Sequence, residues 1–335
     1  MDTIQLKDIL PAWTPGTAIG HRNLTLVPLQ GAGHQARFQD YLLASEAIDA
    51  GVLTVTEVDE SGTVPELLAV NDADRPILLI DGEELQGAKQ NRILNTSVLL
   101  PPKSKTRIPV SCVEEGRWSH VSPTFKAGNY APSSLRQRKS RDVQRSLRAR
   151  GRAESDQGAV WESVSAHIDA RAAKSPTRAM SDAMATLGDV VGRYHEALPY
   201  PSATCGVVAA VCGRFVALDA FDSPSTLEAV WGRLVASYAM DAEASPDETQ
   251  KSFNAKAASV LVEHLAEQSC EAFGAVGLGE DMRFEATDLI GQGLRVDGHL
   301  LHLSVFPPTI DAGRRSASGL RIQPPSSRRP RDRNL

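Results

Sequence analysis

None of the four cysteines, Cys112, Cys205, Cys212 and Cys270, belongs to a CxxC pair, and they stand far apart in a chain of 335 residues. That spacing gives no basis for a zinc site or a disulfide framework, and buried reduced thiols are expected. No apolar run approaches the ~18 residues of a membrane helix. The N-terminal MDTIQLKDIL has neither the positive flank nor the apolar segment of a signal peptide. A cytoplasmic protein with no membrane partner is therefore expected. Positive charge is not in excess either: 36 Lys and Arg against 41 Asp and Glu give a net charge of -5. Such a balance does not collect phosphates and argues against a general nucleic-acid binder. GxxxxGK[ST], HExxH and GxSxG do not occur, so P-loop, zincin and α/β-hydrolase chemistry have no support. What is present is 41% hydrophobic residues, enough for a substantial core.

Residues 1–18 carry Pro11, Pro15 and Gly16 and read as an irregular lead-in. From 19 to 118, strand-like runs at 24–28, 52–58, 66–70, 76–80, 93–100 and 106–113 alternate with turns such as the ESG at 60–62. Phe38, Tyr41, Leu42, Ser45 and Ile48 have helical spacing, with Gly51 placed to end that helix. Strand and turn at this spacing predict an antiparallel sheet. Residues 119–157 form a basic connector whose arginine-dense part runs from 136 to 152. It reads either as a solvated, mobile linker or as an anion-facing helix or lid.

From 158 to 307 the pattern is helix-rich, with strands at its end. Val160, Trp161, Val164 and Ile168 share a helix face. Ser175 and Pro176 read as the N-cap and first residue of one helix whose dry face is Met180, Met184, Leu187, Val191 and Tyr194. A hairpin is expected across Cys212-Gly213-Arg214 and another across Asp297-Gly298. Ser225 with Glu228 has capping-box spacing at the start of a further helix, and another helix spans about 253–270. GAVGLGED, from Gly274 to Asp281, reads as a plain turn, because the βαβ context of a nucleotide loop is missing. Residues 308–335, rich in Arg, Ser and Pro, read as a disordered tail. The expected fold class is α+β, with largely antiparallel sheets and packed helices in a single domain over 19–307.

Two polar stretches hold the candidate chemistry: DGEELQGAKQNR, from Asp81 to Arg92, and SCVEEGRW, from Ser111 to Trp118. In an extended chain adjacent side chains point to opposite faces, so only one of Glu83 and Glu84 faces a given cleft. A bulge at Gly87 would bring the two parity sets together. Cys112 with His120 suggests a thiolate and base, but an apolar strand face raises a thiol's pKa and speaks against it. A polar network that merely ties turn to sheet is the structural alternative.

These two stretches, with the later VW, SPT and GVV segments, resemble the ARG-and-rhodanese-phosphatase-superfamily-associated protein domain family over roughly 19–307. The resemblance implies an α+β domain acting in NAD or ADP-ribose metabolism, since ARG in the name refers to ADP-ribosylglycohydrolase. It leads to the expectation that a small-molecule nucleotide, ADP-ribose or an NAD derivative, is bound and processed. In that reading Lys89, Arg92 and Arg117 meet pyrophosphate, and Gln86, Gln90 and Asn91 orient ribose or base. Glu114 joins the same surface, Trp118 stacks, and Glu83 or Glu84 serves as general base or metal ligand. The alternative is a non-catalytic ligand-binding or sensor module using the same surface. Neither reading names a cofactor, a particular metal or a protein partner.

Overall fold

The computed structural model describes residues 3–31, 40–59, 65–245 and 252–308. The expected helix start at Phe38, the ESG turn and positions 309–335 of the expected tail lie outside them. Along the chain come β1 (Thr3–Gln5), β2 (Trp13–Pro15), β3 (Ile19–His21), β4 (Leu24–Gly31), β5 (Leu42–Leu43), α1 (Ala44–Asp49), β6 (Leu53–Glu57) and β7 (Glu66–Asn71). The central stretch holds β8 (Ile77–Leu79), β9 (Glu83–Gly87), β10 (Arg92–Leu94), β11 (Val98–Leu100), β12 (Ser104–Cys112) and β13 (Phe125–Tyr130). Four helices follow: α2 (Ser133–Arg150), α3 (Gln157–Asp169), α4 (Met180–Ala185) and α5 (Gly188–Ala197). The remainder is β14 (Gly206–Val211), β15 (Arg214–Phe221), α6 (Pro224–Glu243), α7 (Ala255–Ala266), β16 (Ser269–Gly274), β17 (Glu280–Glu285), β18 (Ile290–Val296) and β19 (His299–Phe306).

Among the described residues these strands form three sheets, of ten, six and three strands. Every pairing is antiparallel except β5 with β8. The fold is mixed α+β with antiparallel sheets and packed helices, as the sequence predicts. In the largest sheet the run GVVAAV of β14 is buried on both faces. Val207, Ala209 and Val211 pack with α6, and Val208 and Ala210 pack in the cluster of α7. A strand covered on both sides needs an unbroken apolar run, and this one has it. Cys212 and Gly213 both take positive φ in the hairpin that follows, as do Asp297 and Gly298 between β18 and β19.

Several expectations change. The lead-in is not irregular, because β1 pairs with β16 and β2 with β4. The run 93–100 is not one strand: Asn95, Thr96 and Ser97 break it, so β10 joins the six-stranded sheet and β11 the three-stranded one. The single helix expected from Ser175 starts instead at Met180 and divides at Leu187 into α4 and α5. The cap of α6 is Ser223, whose hydroxyl accepts from the Thr226 N–H at 3.1 Å, with Pro224 at the first helical position. Proline there costs no hydrogen bond, so the helix begins two residues before the Ser225 pattern.

The largest change concerns the basic connector. Residues 133–150 are not a solvated linker but a helix, as the other reading has it, and it is laid across the ten-stranded sheet. Asp219, Ser304, Gln292, Arg283 and Glu271 stand opposite one another on five adjacent strands. At ~4.8 Å per strand that row is about 19 Å long. Residues 136 to 148 of α2 span about 18 Å at 1.5 Å per residue. The match lets Arg136 meet Asp219 at one end and Arg148 meet Glu271 at the other. Lys139, fully buried, pairs with Asp81 and donates to the Leu94 carbonyl at 2.8 Å. Burial pushes the Lys139 ammonium down to about 8, against the pull of Asp81, so it is charged at neutral pH. Arg136 and Lys139 are thus buried here because their partners are buried beside them, while Arg145, Arg148 and Arg150 stay exposed.

Gly82, with φ +77°, makes room for this arrangement: a Cβ there would sit 2.4 Å from Arg136 Cδ. Gly82→Ala is expected to cost at least ~2 kcal/mol, from left-handed backbone strain plus displacement of Arg136. Urea unfolding measures it, and an unchanged midpoint would contradict the packing described.

Candidate functional site

The two polar stretches meet as neighbours on the six-stranded sheet, with Arg92 opposite Cys112. The backbone N–H of Asn91 donates to Glu114 at 3.1 Å. Arg117 grips the same carboxylate with two nitrogens, at 2.8 and 2.5 Å, and donates to the carbonyls of Gly87, Ala88 and Ser119. Thr177 adds a fourth hydrogen bond to Glu114, and a β-bridge joins Glu114 to Ala179 just before α4. Burial raises the Glu114 carboxyl, but the hydrogen bonds from Arg117, Thr177 and Asn91 outweigh it and hold the group below its usual range. Asn91 also donates to Ser181 of α4 at 3.2 Å.

Arg92 is fully buried. One of its nitrogens donates to Gln90 at 2.7 Å and lies 2.9 Å from the Cys112 sulfur, while another stands 3.7 Å from Glu57. Burial pushes the Cys112 thiol up despite the pull of Arg92, and His120 is exposed. Arg92, Arg117, Glu114, Gln90 and Asn91 therefore act first as an internal brace that fixes the β9–β10 turn and the start of α4. Trp118 stays 48% exposed, with Lys89 Nζ 5.5 Å and Arg92 Cζ 5.7 Å from its ring centroid.

Glu83 and Glu84 point to opposite sides, as the strand period requires. Glu83 pairs with Arg233 of α6 at 2.6 Å and accepts from the Ile80 N–H at 3.2 Å. Glu84 accepts from Gln86 at 2.7 Å and from the Asn129 N–H at 3.4 Å, and its Oε1 is buried with no hydrogen-bond partner. Burial pushes this carboxyl up to about 7, more than those two bonds lower it, and the charges of Glu114 and Asp182 add to the rise. A group half protonated near neutral pH is suited to give or take a proton.

Gln86 and Asn129, the partners of Glu84, line a groove of about 510 Å³ whose other walls include Asp182 of α4, His195 of α5 and Arg233 of α6. Its volume lies within the ~300–1,000 Å³ of small-molecule sites. His195 Nε2 lies 2.8 Å from the Gly232 carbonyl, so that nitrogen carries the proton and Nδ1 is left as an acceptor. Gly128 belongs to the geometry as well, because a Cβ there would sit 2.7 Å from Glu84 Oε2. Of the residues singled out in sequence, Gln86 reaches the groove wall and Glu83 and Glu84 stand behind it. Asn129, Asp182, His195 and Arg233 were not legible. They come from four separate elements, and no local spacing joins them. Among the described residues no group of three or more His, Cys, Asp or Glu is placed to hold a metal.

The family model described as ARPP-1, the ARG and Rhodanese-Phosphatase-superfamily-associated Protein domain, matches residues 13–306. No curated protein and no solved structure matches the chain.

Proposed function

Because the chain belongs to the ARG and Rhodanese-Phosphatase-superfamily-associated Protein domain family, we propose that it binds an ADP-ribose-like or NAD-derived nucleotide in the groove beside Glu84 and processes it there. The observation that carries this reading is Glu84 itself: a carboxyl near neutral pKa with one oxygen unpartnered, held behind Gln86 and Asn129. Gln86 joins the groove to this carboxyl through its bond to the other oxygen, Oε2. Arg233 is the cation on the groove wall, and Asn129 and Gln86 offer amides to ribose or base. In this account the brace around Glu114 and Arg92 sets the position of α4, rather than touching phosphate.

Calorimetry with ADP-ribose and NAD, followed by mass spectrometry for products, tests it. Wild type is expected to bind and to turn over one of them. Gln86→Ala weakens binding about tenfold, and Glu84→Gln lowers turnover ~100-fold or more with binding kept. Absence of binding at millimolar ligand sinks the proposal. The full burial of Glu84 also favours the second reading, a non-catalytic ligand-binding module, which would show binding with no product.

A further inference from the structure

Beyond Arg233, the same face of α6 lines a second hollow. Ser225, Ala229, Gly232, Arg233 and Ala236 recur at three- and four-residue steps. Their spacing puts them on one side of the helix, over about 16 Å. The last three border the groove, and the first two border a hollow of about 350 Å³ at the N-terminal end of α6. Arg233 stands between them, held by Glu83 and by Ser45 at 3.2 Å, with its guanidinium 5.0 Å from the Tyr130 ring centroid.

The lining of the second hollow includes Tyr41, Glu46, Ser223, Ser225 and Thr226. The Ser223 hydroxyl, which caps α6, also lies 2.8 Å from that of Ser225 and 3.0 Å from that of Thr226. Behind them lies Asp222, 7% exposed. Its Oδ1 accepts from Tyr41 at 2.6 Å, Tyr41 lies 2.5 Å from the Thr226 hydroxyl, and its Oδ2 is buried without a hydrogen-bond partner. Burial pushes this carboxyl up to about 7 as well. Tyr41, Ser225 and Thr226 each keep an acceptor lone pair beyond these internal bonds, and the two carboxyls accept or, when protonated, donate. Such a wall suits neighbouring hydroxyls on a sugar ring. Phosphate suits it poorly, since Glu46 and Asp222 would repel an anion.

We propose that this hollow is a sugar subsite, so that the ligand is bipartite: one sugar-bearing end lies in the Glu84 groove, the other lies against Tyr41, Ser225 and Thr226, and an anionic linker crosses Arg233. The inference rests on the nucleotide reading of the groove and adds the second sugar and the place of the linker. A nucleoside diphosphate bearing a further sugar fits this layout, and a mononucleotide fills only half of it.

The test is calorimetry on the full chain with ADP-ribose and with AMP, for wild type, Ser225→Ala, Tyr41→Phe and Gln86→Ala. Thermal unfolding checks that each variant is folded. Ser225 is exposed at the helix start, so its variant keeps the fold whatever happens to Tyr41→Phe. Wild type is expected to hold ADP-ribose at least ~100-fold tighter than AMP, which is ~2.7 kcal/mol. Ser225→Ala and Tyr41→Phe each narrow that gap about tenfold. If Ser225→Ala and Tyr41→Phe bind ADP-ribose as wild type does while Gln86→Ala is weakened, the subsite is wrong and the groove reading stands. If wild type binds neither ligand, both fall.

Discussion

Arg136→Met is expected to lower the stability of the folded chain by about 3–5 kcal/mol, measured as the shift in urea-unfolding free energy. The guanidinium is 1% exposed and meets both oxygens of Asp219, at 2.7 and 3.0 Å. Asp219 accepts as well from Tyr238 and Ser304, both at 2.5 Å. Burial opposes the charge on each partner. The pairing outweighs it, so that Asp219 stays below the usual carboxylate range and Arg136 above its ordinary value. Removing the arginine leaves a buried carboxylate facing two hydroxyls, and desolvation is then no longer offset. Arg136→Met combined with Asp219→Leu is expected to recover most of the loss, because an apolar pair of similar volume carries no such penalty. A single variant as stable as wild type would mean that the helix is not anchored by this pair. At the other end of the helix Arg148 on Glu271 is 41% exposed and contributes less.

The second large effect is in the acid limb of stability. Ser304 donates to Asp219, so it accepts from His302 Nε2 at 3.2 Å. In the neutral ring Nδ1 then accepts from the Ser97 hydroxyl at 2.8 Å, and Ser97 accepts from the Asp81 N–H at 2.9 Å. A neutral imidazole satisfies this chain. Burial pushes His302 down to about 4 from its ordinary 6.5, although Asp219 and Asp81 pull it upward. The unfolded chain therefore binds the proton more readily between pH 6.5 and 4. The contribution is fully present above 6.5 and is lost as pH falls toward 4, about 3 kcal/mol in all. The gap in unfolding free energy between wild type and His302→Gln should shrink by that amount from pH 7 to pH 4. A gap independent of pH would rule out a buried neutral imidazole at this position. Glu84 works with the opposite sign: its folded pKa of about 7 stands above 4.5, so its share is present in acid and lost as pH rises through 7.

How far the sequence reaches can be judged from particular residues. Alternation and turn chemistry act over a few positions, and where they decide, the reading and the structure agree. The hairpins at Cys212-Gly213 and Asp297-Gly298 and the meeting of 81–92 with 111–118 are of this kind. The parity of Glu83 and Glu84 belongs with them, because a strand's period is fixed by its backbone. The arginine run of α2 was unreadable for the opposite reason. A stretch poor in apolar residues looks solvated until the register of β15 to β19 places Asp219 where Arg136 can reach it, 83 positions away.

The candidate site divides along the same line. By itself the sequence determined the α+β class and the two polar stretches that meet at the site, both from local pattern. Only the tertiary structure decided that Arg92 and Arg117 turn inward and that Gln86 is the part of the motif on the groove. It also decided that Asn129, Asp182, His195 and Arg233 complete that groove. The physical reason is that a side chain's partner is chosen by packing and desolvation across distant segments, and neither quantity is written in the spacing of neighbouring residues.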